Sequence, residues 1–322
     1  MKIPGLPMLG LAVVALAGLS ATAAYSAEIP KSGLIAARGL TEKDFPRWKA
    51  IEPDIYTYED THSPDPDGSV LGTVSLIVVT KDGVVLLDGQ GDPMDGKRLV
   101  DSIKKITPQP LKYVVVASDH IDHVGGNAEL KAAWPGAVFI SSPASQKVLA
   151  KAPVVPSETV SDKRVLTVGG TELQILNLGR GHTGGDLVVY LPQTKVLFAG
   201  EIYARGMFPS QRSSFPSEWV ETLKKVKAMD AAWFIPGHGF IDTKAELKAD
   251  LDFSIEIQEY IVAEGKRLHA LGLPCTNAGT PPVCEAAKQV NWGRYANYPQ
   301  TKSKQDLAIA RVYMEVEGKL PK

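Results

Sequence analysis

The chain has 322 residues, 44% hydrophobic and 22% charged, which suits a large buried core and argues against disorder by composition. Thirty-five basic and 36 acidic residues give a formal charge of −1. That balance offers neither a basic excess for nucleic acid nor an acidic tail for a basic partner.

At the N-terminus, Lys2 precedes an apolar run over residues 8–19, followed by Ala21, Thr22, Ala23, Ala24, Ser26 and Ala27. This pattern predicts a secretory signal peptide over residues 1–27, with cleavage after Ala23 or Ala27. The alternative, an uncleaved anchor, must contend with a run shorter than the roughly 20 residues that span a bilayer. The expected mature chain, residues 28–322, is a single periplasmic or secreted domain without stable membrane association. Such compartments are oxidising, so Cys275 and Cys284, joined by a Gly- and Pro-containing loop, are expected to form a local disulfide. The alternative is two unpaired structural cysteines.

The chain then alternates strand and helix patterns. Residues 54–58 read as a strand, and 59–68 as a polar, turn-rich stretch containing His62. Residues 69–80 and 84–88 form a hairpin about the turn signal Lys81-Asp82-Gly83. Helical spacing over 93–106 precedes an apolar strand at 111–117. A helix at 127–133, a strand at 138–140 and a helix at 144–150 follow. Strands are expected at 171–177, 186–191, 195–199 and 233–236, and helices at 217–229, 244–271 and 304–317. The order is mixed α/β.

Polar groups gather where apolar strands end: Asp88-Gly89, Ser118 to His123, the stretch around His182, Gly200-Glu201 and Pro236-Gly237-His238-Gly239. Four of the six histidines lie in these segments. Imidazole and carboxylate are standard zinc ligands, and rigid strands converge loop tips above a sheet edge. Each segment alone has an ordinary structural explanation, such as an Asp122 helix cap or a hydrogen-bonded loop histidine. The ordered set points to a metal site.

His120-x-Asp122-His123-x-Gly125-Gly126, Gly181-His182-Thr183, Leu197-Phe198-Ala199-Gly200-Glu201 and Pro236-Gly237-His238-Gly239 resemble the metallo-β-lactamase superfamily. The resemblance runs from about residue 55 to 240, and Asp88-Gly89 matches the family's first motif. It implies a four-layer αββα sandwich with the site along one edge, followed here by a helical C-terminal extension. Residues 292–318 are similar to the tail of periplasmic members. By the same resemblance, Ser118, His120 and His182 face a first metal, and Asp122, His123 and His238 a second, with Glu201 between them. Partners behind the ligands are expected to fix the histidine tautomers, and Asp88 is a candidate for that role.

Two positions depart from the family pattern: Ser118 stands where His-x-His-x-Asp-His has its first histidine, and Glu201 where the glyoxalase-like branch has aspartate. Serine is a poor zinc ligand. Glu201 leaning across, water, or His62 from an overhanging loop each offers compensation, as does working with one metal; a surface histidine is the more ordinary reading of His62, and His269 reads as structural or exposed.

The expected cofactor is one or two zinc ions, with iron as an alternative, and the expected partner is a small-molecule substrate. Metal lowers the pKa of its water towards about 7, so hydroxide attacks a lactam, lactone, ester or thioester carbonyl while Asp122 orients the nucleophile. Lys224, Arg180 and Arg212 are candidate holders of a substrate carboxylate, although a solvated surface charge is the more ordinary reading of each. Two other readings stand beside the hydrolase. One is an iron-dependent oxidoreductase or sulfur dioxygenase using His123, His238 and Asp122. The other is a catalytically degraded binding protein. No Gly-x-Ser-x-Gly elbow, Walker A or Rossmann fingerprint occurs in the mature chain.

Overall fold

A computed structural model describes residues 35–64, 70–276 and 283–321; the expected signal peptide lies outside them. The first half runs β1 (Arg47–Glu52), β2 (Ile55–Pro64), β3 (Val70–Thr80), β4 (Gly83–Leu87), α1 (Pro93–Ile106), β5 (Leu111–Val115), α2 (Ile121–Val124), α3 (Asn127–Ala133), β6 (Val138–Ser141), α4 (Pro143–Val148) and β7 (Glu158–Thr159). The second half runs β8 (Lys163–Val168), β9 (Thr171–Leu176), β10 (Val188–Leu191), β11 (Val196–Ala204), α5 (Pro216–Lys227), β12 (Trp233–His238), α6 (Lys244–Ala270) and α7 (Thr301–Val316).

Strands pair in the order β7-β6-β5-β4-β3-β12-β11-β10-β9-β8, with β2 on β3 and β1 on β2. The halves join through one residue pair, His238 opposite Thr73. Strand periodicity explains the layering, because successive side chains point to opposite faces. In β4, Val85 and Leu87 enter the core between the half-sheets, while Val84 and Leu86 pack with Leu99 and Ile103 of α1. In β11, Val196 and Phe198 face that same central core, while Leu197 and Ala199 pack with Trp219 and Leu223 of α5. Both faces of each half-sheet are therefore apolar, and helices must cover the outer ones. The result is the four-layer αββα sandwich.

The turn after β3 is tighter than a loop, since Thr80 pairs with Gly83 and only Lys81 and Asp82 lie between them. The sequence reading needs correction in three places. The segment expected to be turn-rich from residue 59 remains strand to Pro64, because it pairs with β3. β1, β7, β8 and α2 were missed: β1 is a largely exposed edge with little apolar patterning, β7 and α2 are only two and four residues long, and only the second half of β8 alternates cleanly in burial. The last helix starts at Thr301 rather than residue 304.

α6 and α7 enclose a separate apolar cluster with Phe208, Trp292 and Tyr295. The sulfur atoms of Cys275 and Cys284 lie 2.07 Å apart, in a disulfide between these helices. Among the described residues, no helix is long and apolar enough to cross a membrane.

Candidate metal centre

Strand ends deliver the polar groups to the seam between the half-sheets. Asp88 follows β4 with φ 62°, a left-handed conformation that aspartate tolerates better than most residues. The loop after β5 carries Ser118 and leads to His120 and the short α2, which bears Asp122 and His123. A Cβ on Gly125 would lie 1.9 Å from the Gly91 carbonyl oxygen, so this turn requires glycine. A shift in the β11–β12 register around Gly200 precedes Glu201, and His238 ends β12. His182 comes from the loop joining β9 and β10. At its back, the Trp219 ring stands edge-on at 5.0 Å, and the Trp219 indole donates to the Ile202 carbonyl.

Two groups of donors form. Asp122, His123, Glu201 and His238 make one; His120, His182 and Glu201 make the other. Hydrogen bonds fix two of the histidine orientations. His123 Nδ1 lies 2.8 Å from Asp88 Oδ2, whose other oxygen accepts the Ala117 N–H. His238 Nδ1 lies 3.2 Å from the Gly72 carbonyl oxygen, an acceptor, so Nδ1 carries hydrogen. The Nε2 atoms of these rings then face each other at 3.2 Å. Glu201 Oε1 is 3.0 Å and Asp122 Oδ2 3.4 Å from His238 Nε2. Imidazole nitrogens and carboxylate oxygens converging in this way suit a cation.

In the second group, His120 Nδ1 lies 2.9 Å from Glu201 Oε2, and His182 Nε2 lies 3.1 Å from Glu201 Oε1 and from His120 Nδ1. His120 Nε2 meets Ser213 Oγ at 3.2 Å. Ser118, fully buried, donates to Glu201 Oε2 and accepts the His120 N–H at 3.3 Å. Its hydroxyl is therefore engaged in placing Glu201. Glu201 touches both groups, which a shorter aspartate would have to do with one methylene less.

The electrostatics favour positive charge. Burial pushes the Glu201 carboxyl up, but the imidazoles of His182 and His123 outweigh it and hold the pKa well below the ordinary range. Burial pulls His123 down, yet Glu201 and Asp88 hold it well above an ordinary imidazole. Burial dominates at His182, whose pKa is lowered. Burial also opposes the charge on Asp122, but His123 and His238 bring its pKa below the ordinary value. The carboxylates thus stabilise either a proton on His123 or a cation on its lone pair, and binding the cation releases the proton.

A cavity of about 240 Å³ opens on both groups, walled by Met207, Phe208, Ser210, Arg212 and Lys304. Of the proposed carboxylate holders, only Arg212 lines it. Arg180 pairs with Glu218, and Lys224 with Glu221 and Glu259, all partly exposed, so these two side chains are the solvated surface charges that their sequence setting favours. The backbone of His62 lies in β2, while its side chain is outside the described residues. His269 meets Glu317 at 3.6 Å and stacks edge-on against Tyr313, away from the donors. Sequence reasoning missed Ser213, Trp219 and Lys304. None carries a local signal, because each reaches the site only through packing of a loop or helix. It also left unused Asp186, which accepts the Thr183 N–H and hydroxyl and so shapes the His182 loop.

Back-to-back half-sheets with a buried imidazole–carboxylate cluster at their junction define a class of metal-binding sandwich proteins. The sequence model described as "Metallo-beta-lactamase superfamily" matches residues 68–238, and the chain belongs to that superfamily. It is 24% identical over 193 residues to a metallo-beta-lactamase type 2 of Bacillus sp. (strain 170), covering 58% of this chain and 74% of that protein. It is also 24% identical over 242 residues to a metallo-beta-lactamase type 2 of Elizabethkingia meningoseptica, covering 71% and 96%. The solved metallo-beta-lactamase from Pontibacter korlensis superposes with a TM-score of 0.59 at 24% identity, covering 66% of this chain and 98% of that one, a likeness of fold.

Proposed function

We propose that the protein is an exported metal-dependent hydrolase that attacks the carbonyl of a lactam, lactone, ester or thioester. The observation that carries this reading is the meeting of His123 Nε2, His238 Nε2, Asp122 and Glu201 in one cluster, of which Asp122, Glu201 and His238 line an open cavity. His123, His238, Asp122 and Glu201 would hold one ion, and His120, His182 and Glu201 a second, with zinc the expected metal. An ion there supplies acidified water and polarises the substrate carbonyl.

The chain's own residues do the rest. Asp88 and the Gly72 carbonyl lock the tautomers of His123 and His238. Asp122, held ionised by His123 and His238 and lining the cavity, orients the attacking water and accepts its proton. Ser118 fixes the rotamer of Glu201. Met207 and Phe208 give the cavity an apolar wall against bulk water. The set His123, His238 and Asp122 also fits the two-histidine, one-carboxylate pattern of non-haem iron, which supports the redox alternative.

Turnover of a panel of β-lactams, lactones, aryl esters and thioesters, before and after chelation, tests the reading. Hydrolysis lost on chelation and restored by zinc is the expected result. Oxygen consumption dependent on iron, without hydrolysis, would favour the alternative.

A further inference from the structure

We propose that a second cavity, parted from the donor cluster by the short α2 turn, binds a small ligand with an apolar body and a cationic amine. This site is independent of the hydrolase reading above.

The cavity measures about 240 Å³ and is lined from α2, α3, the turn Leu149–Lys151 and the residues after that turn. Ile121, Val124, Leu149, Ala152, Pro153 and Val154 make its walls apolar. Leu149 belongs to the apolar cluster that joins β4 and β5 to α1, and Val124, Ala152 and Val154 pack against that cluster, so these walls are held from behind. Ile121 differs, because its side chain is 68% exposed. His120 and Asp122, its chain neighbours, line the donor cavity, whereas Ile121 lines this one. A large aliphatic side chain left so open gains free energy in proportion to the apolar surface that a ligand covers.

Two polar side chains set the ligand's chemistry. Asp119 lines the cavity and, among the described residues, has no ion-pair partner, whereas Asp95, Asp242 and Asp250 each meet an arginine. No lysine, arginine or histidine among the described residues lines this cavity, so its one charge is the Asp119 carboxylate. Asn127 is 3% exposed and also lines it, yet its Oδ1 has no hydrogen-bond partner. A carboxamide held in this way has hydrogen-bonding capacity to spare for a ligand. A carboxylate and an amide set among apolar walls suit an ammonium group on an apolar body. The space lies below the roughly 300–1,000 Å³ of drug-sized ligands, which limits that body to about one ring.

The test titrates 2-phenylethylamine, and its uncharged counterpart 2-phenylethanol, into purified protein whose isoleucine methyl groups carry carbon-13. Ile121 is the one isoleucine among the described residues that line the cavity, and Ile121→Val assigns its signal. The amine is expected to move that signal saturably, with an affinity roughly tenfold above that of the alcohol, the scale of one partly screened charge pair. Asp119→Asn should bring the amine down to the level of the alcohol. Ala152→Phe, which fills the space from a wall that holds no donor, should weaken both. Chelation should leave binding unchanged, which separates this site from an amine held on a metal ion. No saturable shift at Ile121 in wild type, equal affinity for amine and alcohol, binding lost on chelation, or folded variants that bind as wild type does would overturn the proposal. The wild-type comparison of amine with alcohol decides the matter even where a variant fails to fold.

Discussion

His123 and His238 present their Nε2 atoms to one another at 3.2 Å, and each ring is turned by an acceptor bound at Nδ1. Without a cation, one of these nitrogens must hold a proton, and the high pKa of His123 places it there. His238→Ala should therefore lose metal while keeping its fold, because the side chain sits at a strand end rather than in an apolar cluster. Its activity should fall by more than the roughly 10–100-fold typical of losing an outer partner. Metal stoichiometry and circular dichroism on the same sample check both parts.

Asp88 bridges the Ala117 N–H and His123 Nδ1 with its two oxygens. Asparagine can replace only one of those acceptors. Asp88→Asn should weaken metal binding roughly 10–100-fold through the loosened ring. Competition against a chromogenic chelator measures it, and unchanged affinity would remove Asp88 from the centre.

Ser118 holds Glu201 from a fully buried position. Ser118→Ala should cost about 1–3 kcal/mol, the typical penalty for leaving a buried polar partner unsatisfied. Ser118→His adds a nitrogen donor beside His120 and His182, so affinity for a second ion should rise, against an overpacking cost of about 1–3 kcal/mol. Zinc titration by calorimetry separates the two binding steps. A second-ion affinity that does not change would contradict the assignment of Ser118 to the first position.

Burial pushes Asp186 up to about 7, against hydrogen bonds from Thr183 that lower it. The folded chain then keeps a proton that the unfolded chain releases near the ordinary value of 3.8. Between these values stability falls as pH rises, because the native state binds more protons. The slope contributed by this one group is at most about 1.4 kcal/mol per pH unit. Asp186→Asn should flatten that part of the profile. Urea unfolding in chelator across this window, compared between wild type and variant, tests the sign.

The sequence carried the architecture where periodicity is strong. The apolar strands at 84–88 and 111–117, and their polar ends, were legible because both faces are buried and the polarity changes abruptly. β1 was not legible, since its edge position leaves little apolar patterning. The ring partners of His120 and His238, Ser213 and the Gly72 carbonyl, were invisible for another reason. They come from a distant loop and from a distant strand, β3, and a backbone carbonyl has no residue identity to read. Lys304 shows the same limit, since a lysine on an amphipathic helix reads as surface until the helix is docked.

The most direct measurement is metal per chain by elemental analysis of chelator-free protein, made alongside the double variant His123→Ala/His238→Ala. The account predicts one or two equivalents in wild type and a loss of at least one in the variant. Wild-type protein without metal, or a variant that binds as much as wild type, would contradict it.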